Sequence, residues 1–219
     1  MITRQSETVT AHSGDALPYW SSKVSALATP CQRRWLTRPG ALTEGLRKLG
    51  VLELDVIRES IARPSGDELA AMGLASGVPS VVPSVVPVRI REIRMSIDGR
   101  HCVVARSVVS LPAWSGSWRA LRHLGRRPLA DLLYSDRRVS RSVFETARLR
   151  CPHPLARVAW RSEPSVRIGH GSSRHQALWA RRSVFWRNGC ALLVAECFLP
   201  GFWDLVATSL VATSCHTNG

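Results

Sequence analysis

The sequence predicts an α+β fold: a single domain whose antiparallel sheet has helices inserted between its hairpins. Three observations carry that prediction. Asp98-Gly99 lies between Val88–Ile97 and His101–Val109, two runs with strand character. Asn188-Gly189 lies between Ala180–Trp186 and Cys190–Leu199 in the same way. Both dipeptides supply the positive φ angles that a two-residue hairpin turn needs. Helical signals, not further alternation, occupy the stretch between the two hairpins.

Taken in order, residues 1–40 read as an N-terminal extension around Trp20 and Trp35, residues 41–203 as the domain, and 204–219 as a C-terminal tail. Thr43 is placed to cap a short helix running to Leu49, with Gly50 in the position favoured just past a helix end. Val51–Glu59 reads as a strand. Ser65-Gly-Asp-Glu68 has capping-box spacing and opens a helix through about Leu74, stopped by Gly77. Val78–Pro87 carries proline at every fourth position, which withholds ladder donors and predicts an extended connector. Ser117 is expected to cap a helix to Leu124, and Pro128 to open another with Leu129, Leu132 and Leu133 on one side. A third helix is expected around Val143–Leu149, after the basic loop Asp136–Arg141. Residues 150–176 are rich in Pro, Ser, Gly, Arg and His and read as an insertion loop. Leu-Val-Ala-Thr-Ser occurs twice over residues 205–214, a short duplication within the tail.

Composition narrows the function classes. Of 219 residues, 45% are hydrophobic and 21% charged, which is ordinary globular usage. No apolar run reaches about 18 residues, so no membrane span is expected. The polar start, Met-Ile-Thr-Arg-Gln-Ser-Glu, shows no secretory pattern, and a cytoplasmic location is expected. Six scattered cysteines lack CxxC spacing, so neither a metal site nor a disulfide framework is expected. The net charge of +14 is spread along the chain, and only Lys23 and Lys48 are lysines. Scattered arginine of this kind describes a solvated surface, with at most a pull on a small anionic substrate.

Two charges stand out because side chains alternate between faces along a strand. Arg91 shares parity with Ile93, Met95 and Ile97, and Glu196 shares parity with Leu192, Val194 and Phe198. Each charge therefore points inward with an apolar face, where it needs a partner. One reading is structural: the two pair with each other or with neighbouring charges. The other is functional. Arg91 would then offer its planar fork to a carboxylate, and Glu196 would accept from a hydroxyl or handle a proton. Leu129 joins them because it sits in a helix first turn, where backbone N–H groups lack intrahelical partners.

The same residues carry a resemblance to the chorismate lyase family. Its blocks here are Ile90-Arg91-Glu92-Ile93 with Asp98-Gly99, then Ala105-Arg106-Ser107-Val108-Val109 and Leu124-Gly125-Arg126-Arg127-Pro128-Leu129. Leu178-Trp179-Ala180-Arg181-Arg182-Ser183 and Glu196-Cys197-Phe198-Leu199-Pro200 complete them. The resemblance runs from about Leu42 to Pro200 and omits most of 150–176. It implies helices covering an enclosed site in which Arg91 binds a ring carboxylate, Leu129 contacts ligand through its main chain and Glu196 meets a ring hydroxyl. A hydrophobic residue at Leu42 is implied near the ligand. The activity implied is elimination of pyruvate from chorismate to give 4-hydroxybenzoate, as the first step of ubiquinone biosynthesis, by a monomer without metal or redox cofactor. Arg106 is expected to be structural or one layer behind the site, and Arg181-Arg182 to be mostly at the surface.

Two other classes compete. Effector-binding domains of some bacterial transcription regulators resemble this fold and bind small molecules without turnover, although residues 1–40 show no helix-turn-helix. A nucleic-acid binder would interleave aromatic and basic residues on one face. The tryptophans here fall mostly within the expected core, so no nucleic-acid partner is expected.

Overall fold

The computed structural model describes residues 20–74, 87–163 and 177–215, with side chains through Ser209. The proline-spaced segment lies outside these except for Pro87, as do Gly77 and residues 164–176. The described chain runs through α1 (Pro30–Leu36), α2 (Leu42–Leu46), β1 (Leu52–Ala62) and α3 (Gly66–Ala71) to a hairpin of β2 (Val88–Ile97) and β3 (Arg100–Ser110). Next come α4 (Leu111–Ser115), a 3-10 turn at Arg119–His123, α5 (Leu129–Ser135), β4 (Ser140–Arg141) and β5 (Glu145–Leu149). Helix α6 (Pro154–Ser162), a second hairpin of β6 (Leu178–Arg187) and β7 (Cys190–Phe198), and α7 (Pro200–Cys215) complete it.

The strands form one seven-stranded sheet in the order β1-β2-β3-β7-β6-β4, with β5 also paired to β6. Every pairing is antiparallel. Both hairpins turn where the sequence places them: Asp98 and Gly99 have φ of 48° and 75°, Asn188 and Gly189 of 50° and 73°. Two successive left-handed residues match the right-handed twist of the flanking strands.

Alternation gives the sheet two distinct faces. In register across it, Arg91 pairs with Ser107, Ser107 with Val194 and Val194 with Ser183. The adjacent row runs Ile93, Ala105, Glu196, Arg181. Helices α1, α2, α5 and α7 contribute to the packing on this inner face, with Leu36, Leu46, Phe198 and Phe202 wholly buried. At roughly 1.5–3 kcal/mol per large apolar side chain, such burial fixes the helices to the strands. The opposite face carries Glu92, Arg106 and Arg182, and helices α3 and α6 lie over it.

Several expectations from sequence need correction. Val143–Leu149 is not a helix; Glu145–Leu149 forms β5, paired to β6 from Glu145↔Arg182 to Leu149↔Leu178. That outcome depends on a distant strand, which local pattern does not reveal. The stretch read as an insertion loop contains α6, whose Leu155, Ala156 and Ala159 pack with Val104, Ala180 and Cys197. His153 caps this helix through its Nδ1, which accepts from the Leu155 N–H at 3.2 Å, and Pro154 occupies its first position. The N-terminal extension supplies α1, opened by a Thr29/Gln32 capping box and seated in the core by Trp35 and Leu36. The tail continues as α7 and buries Val206. Ala41, not Thr43, holds the cap position of α2, so Thr43 lies inside its first turn. The stretch after Ser117 is a 3-10 turn, pinned by the wholly buried Trp118.

Candidate active site

Between the inner face of the sheet and helices α2 and α5 lies a partly open cavity. Strand β2 contributes Arg91, Ile93 and Met95; β3 contributes Ala105 and Ser107; β7 contributes Val194 and Glu196. The walls are mainly apolar, with a few polar groups converging, as small-molecule sites are built. Arg91, Leu129 and Glu196, drawn from distant parts of the sequence, all line it.

Arg91 is nearly buried, its side chain 10% exposed. Its Nη2 donates to the Gly125 carbonyl at 2.6 Å, and Glu59 lies 3.8 Å from its Nε. Its Nη1 is buried with no hydrogen-bond partner among the described residues. Burial draws the guanidinium below its ordinary pKa, with Glu59 acting in the opposite direction. An unsatisfied buried donor costs about 1–3 kcal/mol. An anion entering the cavity would relieve that cost.

Glu196 does not pair with Arg91, so the structural pairing between them is not what the fold uses. Its Oε2 accepts from Arg181 Nε at 2.6 Å. Arg181 is 1% exposed, and its Nη1 donates to the main-chain carbonyls of Trp35 at 3.2 Å and Arg38 at 3.0 Å. Its guanidinium also stacks 4.3 Å from the Phe144 ring centre. The expectation that Arg181 and Arg182 lie at the surface is therefore corrected. Strand β6 is covered on both faces, so two successive arginines are buried on opposite sides. Arg181 finds one acidic partner there and Arg182 two.

On the far face, Arg182 Nε donates to Glu145 at 2.7 Å and its Nη1 to Asp67 at 3.2 Å. Arg106 donates from Nε to Glu68 at 2.6 Å and from Nη1 to Glu92, all three residues being buried. Arg106 is thus a structural residue behind the cavity. Burial pushes the Asp67 carboxyl up, but hydrogen bonds from His153, Ser65 and Trp20 outweigh it and hold Asp67 well below the usual carboxylate range. This network ties α3 to the sheet that carries the cavity.

The roof comes from two helices. Leu129 opens α5 directly after Pro128 and packs partly buried beside Leu124 and Leu133. Leu42 lines the cavity at 2% exposure. The neighbouring Thr43, which sequence singled out only as a cap, also lines it; its Oγ1 is buried without a hydrogen-bond partner among the described residues. Tyr134 closes one side, donating to the Gly40 carbonyl at 2.9 Å and accepting from Arg141 at 3.1 Å. Burial raises the Tyr134 phenol, with Arg141 opposing. Among the described residues, no group of three His, Cys, Asp or Glu side chains is placed to hold a metal. No helix there is long and apolar enough to cross a membrane.

The family model described as chorismate lyase matches residues 17–208. A "probable chorismate pyruvate-lyase" of Bordetella avium (strain 197N) is 49% identical over 187 residues, 85% of this chain and 86% of that protein. A "probable chorismate pyruvate-lyase 1" of Pseudomonas fluorescens (strain Pf0-1) is 39% identical over 192 residues, 88% of this chain and 95% of that protein. Among solved structures, the effector domain of PhnF from Mycobacterium smegmatis aligns with TM-score 0.43 at 13% identity, over 74% of this chain and 89% of that one. A GntR-family transcriptional regulator from Bacillus cereus aligns with TM-score 0.44 at 8% identity, over 68% and 92% respectively. The match of the family model across most of the sequence settles membership: this chain belongs to the chorismate lyase family.

Proposed function

We propose that this protein eliminates pyruvate from chorismate to leave 4-hydroxybenzoate. The observation that carries the reading is the pair of inward charges on one cavity. Arg91 has an unpartnered buried N–H, and Glu196 is held from behind by Arg181. Chorismate bears a carboxylate and a hydroxyl at opposite ends of its ring. Arg91 binds the carboxylate, where its fork adds geometric fit to charge. The backbone N–H at Leu129, in the first turn of α5, donates to the same group. Glu196 accepts from the hydroxyl and sets the ring in its reactive pose.

The chemistry asks little of the protein beyond this. Loss of the enolpyruvyl ether and of the hydrogen on the neighbouring ring carbon makes the ring aromatic, which supplies the driving force. The site contributes a fixed substrate pose and exclusion of water. A cytoplasmic monomer feeding ubiquinone synthesis is the setting that goes with this reading.

The test is direct. Purified protein is mixed with chorismate while absorbance of 4-hydroxybenzoate and release of pyruvate are followed. Stoichiometric appearance of both is expected. Binding of chorismate without turnover would replace this reading with that of a ligand sensor.

A further inference from the structure

Under the proposed function, on which this inference rests, Arg91 and Glu196 attend to the two ends of the ring. The bond that breaks is elsewhere: the enolpyruvyl ether leaves from the carbon beside the one bearing the hydroxyl. Negative charge develops on the ether oxygen as that bond opens, and a donor aimed there favours the transition state over the ground state. The occupant of that role is to be sought near Glu196 and away from Arg91.

Most polar side chains of the cavity are already engaged. Arg181 spends Nε on Glu196 and Nη1 on two main-chain carbonyls. The Tyr134 hydroxyl donates to Gly40 and accepts from Arg141. Ser107 and Ser183 lie in the register row of Arg91, at the carboxylate end. Thr43 differs from all of these. It is 5% exposed, lines the cavity, and has a buried Oγ1 without a partner among the described residues. Buried hydroxyls in folded proteins are nearly always bonded, so an orphan on a residue that lines a hollow calls for a partner that a ligand can supply. The adjacent Leu42 belongs to the same apolar cluster as Ala105, which lies in the register row of Glu196 and not in that of Arg91.

We propose that the Thr43 hydroxyl donates a hydrogen bond to the enolpyruvyl ether oxygen of chorismate and stabilises the departing enolpyruvate. The ring carbon–oxygen bond breaks and its electron pair stays on the oxygen. The carbon–hydrogen bond at the hydroxyl-bearing ring carbon breaks, and its pair completes the aromatic ring. That proton ends on the methylene carbon of the enolpyruvate, whose oxygen becomes the ketone of pyruvate. Thr43 keeps its own proton throughout.

The experiment compares Thr43→Val, which keeps shape and removes the hydroxyl, with Thr43→Ser, which keeps the hydroxyl. Chorismate turnover and calorimetric binding of 4-hydroxybenzoate, which lacks the ether, are both measured. Thr43→Val is expected to lower kcat/KM about a hundredfold while leaving the 4-hydroxybenzoate Kd within about twofold. Thr43→Ser should recover most of the loss. Because no native hydrogen bond is removed, Thr43→Val should melt no lower than the parent protein. Should the valine variant not fold, Thr43→Ala gives the same comparison. Parental turnover in the variant, or a matching loss of 4-hydroxybenzoate affinity, overturns the assignment and leaves the proposed function standing. A parent protein that does not turn chorismate over ends both.

Discussion

Arg181 and Glu196 are register partners across β6 and β7, and a 2.6 Å hydrogen bond from Nε to Oε2 joins them. The arginine is buried and pairs with no other acid among the described residues, so the carboxylate is its counter-ion as well as its acceptor. Arg181→Met should therefore destabilise the fold by up to about 3–5 kcal/mol, the range for breaking a buried pair from one side. Urea denaturation reads that loss. Arg181→Lys should restore part of the stability but less of the turnover, because a point charge replaces a rigid fork.

Arg91 should behave in the opposite way. Its Nη1 has no native partner, so Arg91→Ala removes one hydrogen bond to Gly125 and a loose contact to Glu59. Stability should fall by no more than about 3 kcal/mol, the upper value for one charged hydrogen bond. Chorismate turnover and 4-hydroxybenzoate affinity should each fall on the order of a hundredfold, as a charge-assisted pair is lost. Steady-state kinetics equal to the parent's would remove Arg91 from the site.

Glu196→Gln keeps shape and removes charge. We expect a drop in kcat of about a hundredfold across the pH range, with the ring still bound. A pH–rate profile superimposable on that of the parent would strip Glu196 of any role in handling charge or protons.

Asp67 links stability to acid. Its carboxyl is depressed in the fold, so its contribution is complete above the unfolded carboxylate value near 4 and is lost as pH falls below it toward the folded value. As far as Asp67 decides it, stability measured by urea should hold from pH 6 to about 4 and decline from there toward pH 3. Asp67→Asn should be weaker at neutral pH and show a shallower acid limb; an unchanged slope would assign the acid sensitivity to other groups.

Much of this architecture was legible in the chain. Asp98-Gly99 and Asn188-Gly189 located both hairpins because their φ requirement is local. Strand parity alone put Arg91 and Glu196 on inward faces, and they do line one cavity. What escaped depended on distant partners. Glu145–Leu149 is a strand only because β6 lies beside it. Arg181 and Arg182 look like a surface pair until β6 is known to be covered on both sides. Some misses had visible cues: Thr29-Pro30-Cys31-Gln32 spells a capping box, and His153-Pro154 a helix start. Thr43 could not have been found from sequence, since an orphaned hydroxyl is recognised only once its surroundings are known.

Helix α7 brings Phe202 edge-on against Trp35, ring centres 4.9 Å apart, and the Trp35 carbonyl in turn receives Arg181. Helix α7 thus reaches the Glu196 carboxylate through two residues, Trp35 and Arg181. Trimming the protein after Leu199 would spare every residue that lines the cavity and still loosen the brace behind Glu196, so α7 supports the cavity from outside it.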